Sequence, residues 1–187
     1  MEKIIGILAG SLRKESFSKK IAQAIVPLAP EGYRFEIISL DGLEVYNQDF
    51  DDHNEVPESY KVFRETMHQV DGVMFITPEY NRSVPGVLKN ALDIGSRPAG
   101  KSVWDQKPAA VFSNSPGNIA AFGANHHLRQ SLVFLNMPVM QQPEVYLAKA
   151  NELFDDSGPL KEGETKKFIE EAVEAYIKWF DRNAVSK

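Results

Sequence analysis

Three mostly apolar runs constrain this chain more than any other feature of it. They are Ile4-Ile5-Gly6-Ile7-Leu8-Ala9, Gly72-Val73-Met74-Phe75-Ile76-Thr77 and Lys107-Pro108-Ala109-Ala110-Val111-Phe112-Ser113. A strand that carries apolar side chains on both faces must be covered on both, which is the condition of a strand in a parallel sheet sandwiched by helices. The chain between the runs supplies those helices. Apolar residues recur at helical spacing at Phe17, Ile21, Ala24, Ile25 and Leu28, at Tyr60, Phe63, Met67 and Val70 from about Pro57, and at Val84, Val87, Leu88, Ala91 and Leu92. A fourth helix is expected from roughly Ala124 to Leu135, and Phe168, Ile169, Ala172, Val173, Tyr176 and Phe180 define a long last one.

Two further strands complete the pattern. Tyr33 to Leu40 alternates as a strand with one less buried face does, and Met137 to Met140 begins a fifth, edge strand limited by Pro143. Five strands alternating with five helices predict an α/β doubly wound sandwich with right-handed connections, and for five strands the flavodoxin-like order 2-1-3-4-5 is the reading adopted. With 187 residues and no linker or internal repeat, residues 1–187 are expected to form one domain. A ligand in such a sheet sits beyond the carboxyl ends of the strands where the strand order reverses, so the loops after strands one, three and four are the candidate site.

The first of these loops, Gly10-Ser11-Leu12-Arg13-Lys14-Glu15-Ser16-Phe17-Ser18, brings hydroxyls and an arginine to a helix expected to start near Ser16 or Ser18. Helix N-termini carry unpaired N–H groups and the positive end of the dipole, so this loop reads as a phosphate cradle. Neither the Gly-x-x-Gly of a dinucleotide fold nor a Gly-Lys-Ser/Thr follows Gly10, which points to a terminal monophosphate. The second loop offers Pro78, Tyr80 and Asn81: a rigid bend, an aromatic face and an amide suited to a flat heteroaromatic ring. In the third, Ser113-Asn114-Ser115-Pro116-Gly117, glycine lets the backbone approach such a ring. A monophosphate at one end and a flat ring at the other describe FMN.

Other chemistries are disfavoured. The chain has no cysteine, so thiolate redox and Cys-ligated metals are out, and any redox role needs a bound cofactor. A net charge of −5 without a basic stripe argues against nucleic acid. No apolar run reaches the length of a membrane span and no signal-peptide pattern is present, so a cytoplasmic address and no membrane partner are expected. Asp51-Asp52-His53 is read as part of a solvated loop, and His126-His127, diverging on a helix, as packing or interface residues, so no metal site is expected. Ser83 is expected to cap the third helix, with Pro85 in its first turn.

The motifs Gly10-Ser11-Leu12-Arg13-x-x-Ser16-Phe17-Ser18, Thr77-Pro78-Glu79-Tyr80-Asn81-x-Ser83-x-Pro85-Gly86-x-Leu88-Lys89-Asn90-Ala91, and Ser115-Pro116-Gly117 followed by His126-His127-Leu128-Arg129-Gln130 resemble those of the NADPH-dependent FMN reductases. The resemblance is nearest to the flavodoxin-like quinone, chromate and azo-dye reductases and weakens after about Ala150. It implies that Ser11, Arg13, Ser16, Phe17 and Ser18 hold the phosphate and ribityl end of non-covalent FMN. Pro78, Glu79, Tyr80 and Asn81 would border the isoalloxazine, and Ser115 and Gly117 complete the ring site. It also implies two-electron transfer from NADPH or NADH by a ping-pong route to quinones or related acceptors such as azo dyes, chromate or free flavin. The flavin performs that chemistry, so no catalytic side chain is assigned. A flavodoxin-type one-electron carrier with little NAD(P)H oxidation is the rival class. A homodimer or homotetramer is implied, with helices three and four across the interface and Arg82 and Glu144 as polar contacts. Two positions depart from the family pattern: Ala120-Ala121 replace a common Gly-Gly, and Ile94 a common tryptophan. Both bear on the substrate cleft.

Overall fold

In the computed structural model, which describes residues 2–155 and 158–185, the three apolar runs are the inner strands of one sheet. They are β1 (Lys3–Ala9), β3 (Gly72–Thr77) and β4 (Ala109–Asn114). β2 (Tyr33–Ile37) and β5 (Val145–Leu147) form its edges. Every pairing is parallel and the order is β2-β1-β3-β4-β5, as predicted. β3 and β4 are buried along their whole length, whereas β2 alternates, because only an edge strand has a side left to solvent.

Successive side chains of a strand point to opposite faces, so each strand feeds two cores. On one face Ile5, Ile7, Met74, Ile76 and Phe112 meet α1 (Phe17–Ile25) and α5 (Glu164–Asn183). On the other, Leu8, Val73, Phe75 and Val111 meet α2 (Glu58–Gln69), α3 (Gly86–Gly95) and α4 (Phe122–Phe134). Each large apolar side chain buried this way contributes roughly 1.5–3 kcal/mol. Among the described residues no helix is long and apolar enough to cross a membrane.

Four expectations are corrected. The segment 137–140 does not open the fifth strand: only Val139 bridges Ala109, and β5 begins at Val145, opposite Phe112. The break falls between Val139 and Val145, where Pro143 lacks the N–H a continuous ladder needs. Ser83 does not cap α3; Pro85 occupies that position without a side-chain bond. The Asp51-Asp52-His53 stretch is not simply solvated, since Asp51, in a single helical turn at Asp49–Asp52, accepts two bonds from Arg64 at 2.7 and 2.8 Å with side chains only 7% and 11% exposed. Ile94 faces the core, not a cleft, and an indole still packs at the end of α3. It belongs to Trp104, which donates to the Leu92 carbonyl at 2.9 Å. A Cβ on Gly95 would lie 2.6 Å from that indole, so glycine is what admits it.

Candidate functional site

β1 ends where the Gly10 N–H donates to the Ile76 carbonyl at 2.8 Å and the chain turns out of the sheet. Ser16 then caps α1: its backbone is extended and its Oγ accepts the Lys19 N–H at 3.3 Å. The amides of Phe17 and Ser18 precede the first intrahelical acceptor and have no partner within the helix. The first turn of α1 holds no acidic residue. Ser11, Ser16 and Ser18 are buried around this terminus and Arg13 is exposed at its edge. Among the described residues the Arg13 guanidinium has no carboxylate partner. A buried, donor-rich helix terminus with no acidic residue in its first turn suits an anion.

Ser18 is itself held from β4. The buried amide of Asn114 donates to Ser18 Oγ at 2.9 Å and to the Thr77 carbonyl at 3.3 Å, joining the start of α1 to the ends of β3 and β4. Sequence reading placed Asn114 in a loop and gave it no role. The available signal was a polar amide ending an otherwise apolar run, since a buried amide there must find partners.

These groups enclose a cavity of about 160 Å³ at the carboxyl edge of the sheet. Ser11, Arg13, Ser16, Phe17 and Ser18 line it from the first loop, Pro78, Glu79 and Tyr80 from the second, and Ser115 from the third. Asn114 and Pro116 also line it, while Asn81 and Gly117 do not.

The reason Asn81 stands apart is conformational. Tyr80 and Ser83 exchange N–H···O bonds of 3.1 and 3.0 Å around Asn81 and Arg82, both at positive φ (51° and 66°), the pattern of a tight type I′ turn. Asparagine tolerates that backbone well, and Asn81 is exposed at the tip. The Tyr80 ring remains 48% exposed beside it. Gly117 lies further along the third loop, which is braced from behind: Ser115 N–H donates to the Leu147 carbonyl at 3.2 Å and Ala150 N–H to the Ser115 carbonyl at 3.0 Å. Farther on, Ala120 and Ala121 hold φ of 53° and 60°. The alanines therefore keep the left-handed backbone a Gly-Gly pair would adopt, at a cost of about 1–2 kcal/mol per residue.

The two histidines diverge as helix geometry requires. His126 Nε2 lies 3.0 Å from the Tyr146 hydroxyl, whose pKa is pushed up by burial and then by the Glu144 carboxylate. His127 Nδ1 lies 3.0 Å from Ser83 Oγ, which explains what that hydroxyl does instead of capping. Arg82 reaches Glu79 of its own chain at 3.4 Å. Among the described residues no cluster of His, Asp and Glu is arranged to hold a metal. A larger cleft of about 560 Å³ runs between α3 and α4, reached from the second loop through Ser83 and Val84, and Phe134 on its wall is 89% exposed.

A family model described as NADPH-dependent FMN reductase matches residues 3–152. The chain is 50% identical over 179 residues to a quinone reductase of Pseudomonas putida, covering 96% of this chain and 95% of that protein. It is 40% identical over 175 residues to a 2-hydroxy-1,4-benzoquinone reductase of a Burkholderia species, covering 94% of each. Among solved structures, the flavoenzyme NAD(P)H:(acceptor) oxidoreductase FerB of Paracoccus denitrificans superposes with a TM-score of 0.90 at 34% identity, covering 98% of this chain and 100% of that one.

Proposed function

The chain belongs to the NADPH-dependent FMN reductase family and is an FMN-dependent NAD(P)H oxidoreductase; from that premise we propose how its site is used and what it reduces. The three buried hydroxyls Ser11, Ser16 and Ser18, the amides of Phe17 and Ser18, and the Arg13 guanidinium bind the FMN phosphate. The observation that carries this is the helix terminus: donors converge on the 160 Å³ cavity, and the first turn of α1 holds no acidic residue to oppose an anion there. Bound there, the phosphate and adjoining polyol would be held in the cavity, and Pro78, Tyr80, Ser115 and Pro116 would border the ring. Asn114 joins the residues expected from sequence, acting from beneath by fixing Ser18.

FMN, when bound, supplies the two-electron chemistry itself. The chain's residues bind and orient it and leave one side open: Tyr80 is half exposed, and neither Pro116 nor Gly117 carries an aromatic ring that would cover it. An open face lets nicotinamide and then acceptor use the same place in turn, which is a ping-pong route. The acceptors are quinones or related compounds, in keeping with the names of the relatives at 50% and 40% identity. The enzyme works in the cytoplasm as a homodimer or homotetramer, with the exposed Phe134 and the cleft between α3 and α4 turned toward a second copy.

Initial rates measured against NADPH at several fixed concentrations of a soluble benzoquinone test this reading. Parallel double-reciprocal lines from protein carrying about one FMN per chain are expected. Intersecting lines would refute the shared face, and flavin-loaded protein that does not oxidise NAD(P)H would make the chain a carrier. Light scattering at micromolar concentration checks the assembly, and a monomer there refutes it.

A further inference from the structure

We infer that Glu79 is a positioning residue whose carboxylate latches the two ring-side loops together, rather than a group offered to the ligand. Glu79 stands in the loop after β3, immediately before Tyr80. Its Oε2 accepts the Ala124 N–H at 3.0 Å, across 45 positions of sequence, and its Oε1 lies 3.4 Å from Arg82 Nη1. The side chain is only 13% exposed.

The helix it reaches has no cap of its own. Ala121, at the N-cap of α4, carries no polar side chain and makes no capping bond. The Ala124 amide in that first turn, at the positive end of the helix dipole, is met by a carboxylate from a different loop. Gly123 makes the approach feasible, because a Cβ there would lie 2.8 Å from the Arg82 carbonyl oxygen and 2.9 Å from Glu79 Oε2. One carboxylate thus fixes the separation between the 80–83 turn and the segment leading from Ser115 into α4. This bond exists without any ligand. Both loops border the proposed ring site, so the inference rests on that reading: the latch sets the width of the ring end and leaves the phosphate end alone.

The test pairs amide exchange in the apoprotein with two ligands. In Glu79→Ala the Ala124 amide is expected to exchange about tenfold faster or more, the scale of one lost charge-assisted bond. Riboflavin and FMN are expected to weaken by the same factor, because the phosphate contacts are intact. Glu79→Gln keeps an acceptor oxygen and should restore both Ala124 protection and ligand affinity to within about threefold of wild type. Unchanged Ala124 exchange in Glu79→Ala overturns the latch. Lost protection with undiminished riboflavin binding overturns its control of the ring end. A Glu79→Gln protein that protects Ala124 yet binds both ligands about tenfold more weakly than wild type shows instead that the charge acts on the ligand directly, and it decides the matter alone should the alanine variant not fold. If wild-type protein binds neither flavin, the proposed function fails, while the exchange data still decide whether the latch exists.

Discussion

At the phosphate end of the site the donors come from one short stretch, Gly10 to Ser18, whereas at the ring end the walls come from two loops that meet through Glu79 and the first turn of α4. The first arrangement is local: a strand stops, a serine caps a helix, and the open amides follow from helix geometry. The second is assembled across the fold, with a tight turn at Asn81-Arg82, a left-handed pair at Ala120-Ala121 and a bond spanning 45 positions. A local device survives disturbance elsewhere, while a device made of distant parts depends on each of them. Perturbing one end at a time should therefore separate affinity for phosphate from affinity for the ring.

The largest effect is expected from Gly123→Val. Its Cβ would fall within 3 Å of both the Arg82 carbonyl and Glu79 Oε2, and a backbone oxygen in a two-residue turn has little room to retreat. Overpacking of this kind costs about 1–3 kcal/mol and here also breaks the Glu79 bond, so the sum should exceed any single contact in the site. Urea unfolding should show a loss of at least about 3 kcal/mol, and riboflavin binding should fall with it. A valine variant with wild-type stability would mean the two loops are not in close contact.

Arg13→Ala comes next and probes the other end. A charge-assisted bond to phosphate is worth roughly 1.5–3 kcal/mol, so FMN should weaken about tenfold to a hundredfold while riboflavin, without a phosphate, is unaffected. Arg13 is exposed, so folding stability should hardly change. Equal losses for the two ligands, measured by fluorescence titration, would show that Arg13 shapes the loop instead of meeting phosphate.

The same division decided what could be read from sequence. β3 was legible to its boundaries because Gly72 and Pro78 bracket an unbroken apolar run, and α1 because Ser16 precedes residues at helical spacing. The phosphate end follows directly from those two elements. β5 was misplaced because three residues of edge strand leave little pattern, and the apolar 137–140 stretch mimics one. The bond from Asn114 to Ser18, the Glu79 bond to Ala124 and the Arg64 grip on Asp51 were invisible for a shared reason: each partner lies well apart in sequence and the pattern around either residue does not announce the other. Asn81 was read for its amide when its backbone is what the turn requires.

Ser16→Ala is the smaller counterpart at the phosphate end. It removes the Oγ that accepts from Lys19, and the loss of an N-cap costs about 1 kcal/mol. Thermal unfolding should register that loss, and FMN should weaken as well, since Ser16 lines the cavity. Riboflavin affinity should stay as it is. If riboflavin falls equally, the cap supports the whole site and the separation of the two ends is too sharp.

The smallest effect on binding is expected at the left-handed pair Ala120-Ala121. Replacing Ala120 and Ala121 by glycine relieves about 1–2 kcal/mol of left-handed strain at each position. Against this stand the extra freedom of the unfolded chain, about 0.4–1 kcal/mol per glycine, and the burial of two methyl groups at about 0.8 kcal/mol each, both alanines being enclosed. The terms nearly cancel, so unfolding free energy should move by no more than about 1 kcal/mol. Binding should respond more clearly. Alanine has few alternatives to the conformation it holds, whereas glycine lets the folded loop wander, and regaining order on binding costs an entropy of similar size. FMN and riboflavin should both weaken about two- to fivefold in the double-glycine variant. Tighter binding with unchanged stability would mean that the alanines hold the loop away from its bound conformation, and that the ring end is strained against its ligand instead of prepared for it.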